Sequence, residues 1–115
     1  MRLNILATGM ELTPAIRTYV EEKFMMLERI LRHYETSGEA TIHVEISHTT
    51  KHHRHGNVFY AEANLKLPGE VLRVENNNTD LYSAIDKIKD TLKNDIIKYK
   101  NKSESKVVRR TLREK

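Results

Sequence analysis

Three stretches of this chain alternate apolar and polar residues with period two, and that alternation decides what kind of sheet they can build. In ATIHVEIS, Ile42, Val44 and Ile46 face one way, and Thr41, His43, Glu45 and Ser47 face the other. In VFYAEANLKL, Phe59, Ala61, Ala63, Leu65 and Leu67 share a side; in EVLRVE, Leu72 and Val74 do. RLNILA near the start, with Leu3, Ile5 and Ala7 on one side, reads as a strand of the same type. Strands with one polar face need cover on the other face only.

Two one-sided helices supply that cover. Thr13 followed by Pro14 is a helix start, a hydroxyl to cap free amides and then proline at the first helical position. The spacing predicts a helix from there to about His33, burying Leu12, Ile16, Val20, Phe24, Leu27 and Leu31. The second helix, TDLYSAIDKIKDTLKNDIIKYKNK, is capped by Thr79 or Asp80. It carries a stripe of Leu81, Ile85, Ile88, Leu92, Ile96 and Tyr99. Residues 34–39 and the polar run HTTKHHRHG at 48–56 are expected as loops, Pro68-Gly69 as a hairpin turn and Asn76 to Asn78 as a linker. The expected fold is α+β, in the order β-α-β-β-β-α: a four-stranded sheet with both helices packed on one face.

The 115 residues suffice for one domain, assigned to residues 1–101. Residues 102–115, with only Val107, Val108 and Leu112 as larger apolar side chains, are expected to form a basic, flexible tail. No apolar stretch is long enough to span a membrane, none resembles a signal peptide, and there is no cysteine. The expectation is a cytoplasmic protein in a reducing compartment.

The formal net charge is +4, and it is unevenly placed. Residues 98–115 hold eight basic side chains against Glu104 and Glu114, while the other 97 residues hold twelve basic and fourteen acidic ones. A segregated basic end is an electrostatic footprint for nucleic acid or another acidic surface. At 100° per residue, Lys89, Lys93 and Lys100 fall with Tyr82 on one flank of the second helix, and Lys87 and Lys98 lie further round. On the first helix, Arg17 and Lys23 border the apolar face, and Arg29 points outward. Arg109 and Arg110 belong to the basic end.

Few aromatic residues are free to stack on bases. Phe24, Phe59 and Tyr99 read as core, which leaves Tyr60 on the open sheet face with His43, Glu62, Asn64 and Arg73. That favours backbone and shape recognition of structured RNA over a single-strand platform. His48, His52, His53 and His55 lack the cysteines or spaced carboxylates of a closed metal site, so no cofactor is expected and a polar, phosphate-touching loop is the reading. Glu45, Ser47 and His48 adjoin in sequence but alternate across a strand. No nucleophile elbow, glycine-rich phosphate loop or HExxH spacing occurs, so an enzyme is not expected.

Three segments carry a family resemblance: LNI with LTPAIRTYVEEKF and LE, then HHRHGNVFYAEANLKLPG, then DLYSAIDKIKDTLKNDIIKYKNK. Across residues 2–102 the chain resembles the ribosome hibernation-promoting factors, also called ribosome-associated inhibitor A or light-repressed protein. It looks like a short-type member or a single domain of a longer one. The resemblance implies a factor bound in the channel of the small ribosomal subunit, over the messenger and transfer RNA sites. The implied partners are that subunit and its ribosomal RNA, with a separate ribosome modulation factor left open and a monomer expected off the ribosome. The family's basic helix positions fall on Arg17, Lys23, Arg29, Lys89, Lys98 and Lys100. Lys87, Lys93, Arg109 and Arg110 join them as candidate RNA-binding residues. Met26 stands where the family often has lysine, and Asn94-Asp95 where it often has Arg-Gln. The rival reading is a general double-stranded RNA-binding module, whose α-β-β-β-α order lacks the first strand.

Overall fold

The computed structural model describes residues 2–35, 40–49, 58–67 and 69–113, with backbone alone at 33–35, 49 and 103–113. Its elements are β1 (Arg2–Thr8), α1 (Pro14–Met25), α2 (Glu28–Glu35), β2 (Thr41–Thr49), β3 (Val58–Leu67), β4 (Glu70–Asn78) and α3 (Leu81–Arg113). The strands lie side by side in chain order, β1-β2-β3-β4. β1 runs parallel to β2, with α1 and α2 in the crossover, and the remaining pairs are antiparallel. This is the α+β architecture expected, with all helical cover on one face.

The apolar sides of the strands and helices meet in a single core. Val20, Phe24, Leu27 and Leu31 pack with Ile42, Val44, Ile46, Ala61, Ala63 and Leu65 and with Ile85, Ile88, Leu92 and Ile96. Leu12 and Ile16, expected inside, sit half-buried at its margin with Phe59 and Tyr99. The starts of α1 and α3 are capped by side chains. Thr13 Oγ1 accepts from the Ile16 amide at 3.2 Å. Asp80 Oδ2 accepts from the Ser83 amide at 3.1 Å and from Ser83 Oγ at 2.7 Å, so Asp80 is the cap of α3.

Three boundaries differ from the sequence reading. The first helix breaks at Met26 and Leu27. There the Leu27 amide bonds back three residues to the Phe24 carbonyl at 3.0 Å, and the Leu27 carbonyl starts α2 by accepting from Ile30 and Leu31. β2 runs on through His48 and Thr49, which pair with Phe59 and Val58 and so are strand, not loop. Asn76, Asn77 and Asn78 are also strand, not linker. They satisfy the backbone of Ala61, Tyr60 and Phe59, which would otherwise lack a neighbour on that side. The expected domain boundary near residue 102 falls within α3, whose side chains beyond Lys102 lie outside the described residues. Residues 50–57, with His52, His53 and His55, also lie outside them.

Ile88 is fully buried in the middle of the α3 stripe. Ile88→Asp places an unpaired carboxylate there, at a cost on the order of 5 kcal/mol, comparable with the whole stability of a small domain. The variant is expected to lose its cooperative thermal transition by circular dichroism. A folded, melting variant would show that this face of α3 is not the core face.

Candidate RNA-binding surface

α3 lies along the helical layer with one flank toward α1 and α2 and the other toward β4. On the first flank, Tyr82, Asp86, Lys89, Lys93, Ile97 and Lys100 follow one another at helical spacing. At its start a clasp joins α1 to α3. Tyr19 Oη donates to Asp86 Oδ1 at 2.6 Å, and the Tyr19 and Tyr82 rings meet edge to face at 4.6 Å between centroids. Lys23 Nζ lies 3.4 Å from the same Asp86 oxygen and 5.4 Å from the Tyr19 ring centre. The hydrogen bond to Asp86, helped by burial and by the aspartate's charge, pushes the Tyr19 phenol up to about 12.

Lys23 and Lys89 are therefore not free cations. Lys23 shares Asp86, and Lys89 Nζ sits 2.8 Å from Asp90 with its side chain only 12 % exposed. Arg17 is exposed and reaches Glu21 loosely, at 4.0 Å. Lys87 and Lys93 project from α3 into solvent. Lys98 and Lys102 lie on the opposite flank, around a shallow groove of about 250 Å³ with Glu70, Leu72, Asp95 and Tyr99. Arg109 and Arg110 lie on the last turns of α3, and their side chains are outside the described residues.

Arg29 and Lys100 are different. The helix break sets α2 beside the C-terminal half of α3, and these two cations line one groove with Ile30, Ile97 and Asn101, about 390 Å³ in volume. Arg29 also walls a second depression of about 400 Å³, lined by Glu22, Met25 and Met26. Neither Arg29 nor Lys100 makes an ion pair among the described residues. Asp95 lines the Lys98 groove and not this one. Met26 adjoins Arg29 directly.

The opposite face of the sheet carries both signs, with Arg2, Lys66 and Arg73 beside a row of carboxylates. Strand register puts Leu6, Glu45, Glu62 and Glu75 in one cross-strand row. Like charges directly opposite one another are costly, and hydrogen bonds and Arg73 offset that cost. Tyr60 Oη lies 2.7 Å from Glu62 and 2.8 Å from Glu75, so its one proton is shared between two carboxylates. Arg73 reaches Glu62 at 3.1 Å and Glu75 at 3.6 Å, and Asn64 donates to Glu62 at 2.9 Å. Donation from Asn64 and Tyr60 holds Glu62 below the usual carboxylate range. Burial and these two acids push the Tyr60 phenol up to about 12. Tyr60 is on the open face as the alternation requires, but its hydroxyl is committed to Glu62 and Glu75.

His48 faces the helical side, away from Glu45 and Ser47, with its ring 4.7 Å from that of Phe59. Among the described residues no three histidine, aspartate or glutamate side chains converge on a common point. The sequence reading missed the Tyr19–Asp86 clasp, the carboxylate row and the apolar floor of the Arg29 groove. The row was available from the period-two pattern once strand pairing was known.

Asp86→Asn keeps the shape of the clasp but removes its charge. A phenol with a raised folded-state pKa stabilises the fold fully below pH 10 and loses that contribution as pH rises toward 12. In the variant, the late-ionising phenolate absorbance of Tyr19 is expected to move back toward 10, and the loss of stability between those pH values to shrink. An unchanged titration would rule out Asp86 as the cause.

The chain matches the family described as Sigma 54 modulation protein / S30EA ribosomal protein over residues 3–104. It is 30 % identical over 102 residues to the ribosome hibernation promoting factor of Klebsiella oxytoca, covering 89 % of this chain and 96 % of that one. It is 32 % identical over 94 residues to the ribosome hibernation promotion factor of Deinococcus radiodurans, covering 82 % of this chain but 46 % of that longer protein. The chain thus spans about half the length of the long relative and nearly all of the short one. Among solved structures, the Thermus thermophilus Protein Y N-terminal domain superposes with a TM-score of 0.64 at 29 % identity, over 86 % of this chain and 99 % of that domain. With the family match covering the sheet, the clasp and the Arg29–Lys100 groove alike, the chain belongs to the Sigma 54 modulation protein / S30EA ribosomal protein family, the group that includes the ribosome hibernation-promoting factors.

Proposed function

We propose that this protein is a non-enzymatic hibernation factor that binds the small ribosomal subunit in its messenger and transfer RNA channel and blocks decoding ligands. Its relatives are ribosome hibernation factors, which supports the ribosome as the target. The observation that carries the reading on this chain is the pairing of Arg29 with Lys100 across α2 and α3. Two cations without ion-pair partners among the described residues, held by separate helices at one groove, are placed to neutralise RNA phosphate. On the other face, among the described residues, the carboxylate row offsets Arg2, Lys66 and Arg73 and leaves no excess of positive charge. Lys93 and Lys87 extend the basic side, and the basic C-terminal segment follows the channel as a polycation.

Phosphate neutralisation releases counterions, so affinity for small subunits should fall steeply with salt. In sedimentation with purified subunits, Arg29→Gln and Lys100→Gln are each expected to weaken binding and lower the slope of log affinity against log salt by about one. Lys89→Gln, already held by Asp90, should change it less. Salt-insensitive binding would sink the electrostatic reading. Equal affinity for plain duplex RNA and for subunits would favour a general double-stranded RNA-binding module.

Truncation after Lys102 removes the segment with Lys106, Arg109, Arg110 and Arg113 but none of the core among the described residues. The shortened chain is expected to keep its melting transition and to bind subunits more weakly. If it unfolds, the segment is structural.

A further inference from the structure

The Arg29–Lys100 groove is more than a pair of cations, because its floor is apolar. Ile30 and Ile97 line it, and Met25 and Met26 line the adjoining depression on the other side of Arg29. Six large apolar side chains are exposed among the described residues, and three of them, Met25 at 49 %, Met26 at 59 % and Ile97 at 39 %, cluster here. Phosphate alone needs charge and hydrogen-bond donors; it has no use for isoleucine and methionine. An apolar floor with a cationic rim fits a ligand that is flat and apolar on one part and anionic on another.

We propose that this groove takes a single unpaired RNA nucleotide, its base laid over Ile97 and Met26 and its phosphate held by Lys100 and Arg29. The proposal deepens the ribosome-binding reading and rests on it for the source of the RNA. In a duplex the base faces are stacked and hidden, so only an unpaired or splayed nucleotide can cover these side chains. The groove's volume of about 390 Å³ lies in the range of small-ligand sites. Arg29 suits the position twice over, because a planar guanidinium can lie on a base and also pair with phosphate. Asn101 brings an amide, both donor and acceptor, to a base edge. Glu22 closes the Met25–Met26 end with negative charge and so turns the phosphate toward Lys100.

The test compares a six-nucleotide single-stranded RNA with the same strand made abasic at its central residues, alongside sedimentation of the protein with small subunits. The full strand is expected to bind roughly five- to tenfold more tightly than the abasic one, the low end for a base resting on side chains that are not aromatic. Ile97→Ser and Met26→Gln should abolish most of that preference and leave the salt slope unchanged. Arg29→Gln should weaken both strands and lower the slope. Met26 is exposed, so its variant reports even if Ile97→Ser is unstable. Equal binding of the two strands to the wild-type protein, binding of neither, or a preference that survives both apolar substitutions overturns the proposal. Equal binding through Arg29 and Lys100 would assign the apolar floor to a protein partner. Subunit binding without base preference defeats the nucleotide site alone. Base preference without subunit binding defeats the ribosomal reading instead.

Discussion

Burial of one stripe of α3 against one face of the sheet is the contact on which the rest of the molecule depends. Ile85, Ile88, Leu92 and Ile96 have no exposed surface, and neither do Ala61 and Ala63 of β3, one of the strands they pack over. The two alanines matter by being small. Register sets Ala61 between Ile46 and Asn76, and Ala63 between Val44 and Val74, so the larger side chains flank a shallow trough on β3. A helix laid in that trough fills it with isoleucine and leucine at close range, and tight packing of this kind resists volume change in either direction. Once α3 is seated, its two flanks are committed, one to α1 and α2 and the other to β4.

That commitment sorts the charges. A carboxylate on α3, Asp86, holds Tyr19 and Lys23 of α1, which anchors the first helix at its middle and last turn. The exposed pair with Lys23 is worth little in stability. The phenol's bond to a carboxylate, charge-assisted and part-buried, contributes more. Three carboxylates lie on the far side of the sheet: Glu62 and Glu75 are tied to Tyr60 and Arg73, Glu62 also to Asn64, and Glu45 accepts from Thr8. Among the described residues, Arg29, Lys87, Lys93 and Lys100 make no ion pair on the helical side, while Arg2, Lys66 and Arg73 share the sheet face with those carboxylates. A modest overall charge thus leaves unpaired cations around one helical groove and a sheet face on which both signs are mixed.

Most of the fold was legible because both periods are carried by residues whose burial is unconditional. The strand alternation picked out Ile42, Val44, Ile46, Ala61, Ala63 and Leu65, and the helical spacing picked out Val20, Phe24, Leu27 and Leu31, all buried. The break after Met25 was not legible for the same reason. Positions 20, 24, 27 and 31 keep one helical face through it, and neither proline nor glycine marks it. The asparagine run was misread because intrinsic preference disfavours asparagine in strands, while the ladder partners Phe59, Tyr60 and Ala61 override that preference. At the site, a list of lysines could not say which were free. Lys23 meets an aspartate 63 positions away, and Lys89 meets its immediate neighbour, a pairing that helix geometry does not favour.

The helix break is also what makes the groove. In one continuous helix, Arg29 would be carried along the axis of α1 as a solvated cation of ordinary kind. With Leu27 closing a tight turn and its carbonyl starting α2, the chain takes a new direction with Leu27 and Leu31 still anchored in the core. Arg29 and Ile30, between those anchors, are delivered against Ile97 and Lys100 on α3, and Met25 and Met26 are left on the outside of the turn. The charge and the apolar surface of the groove therefore have one origin. A turn that buries Leu27 must expose the methionines before it and aim the arginine after it, which is why a replacement at Met26 alters what Arg29 works beside without altering where it stands.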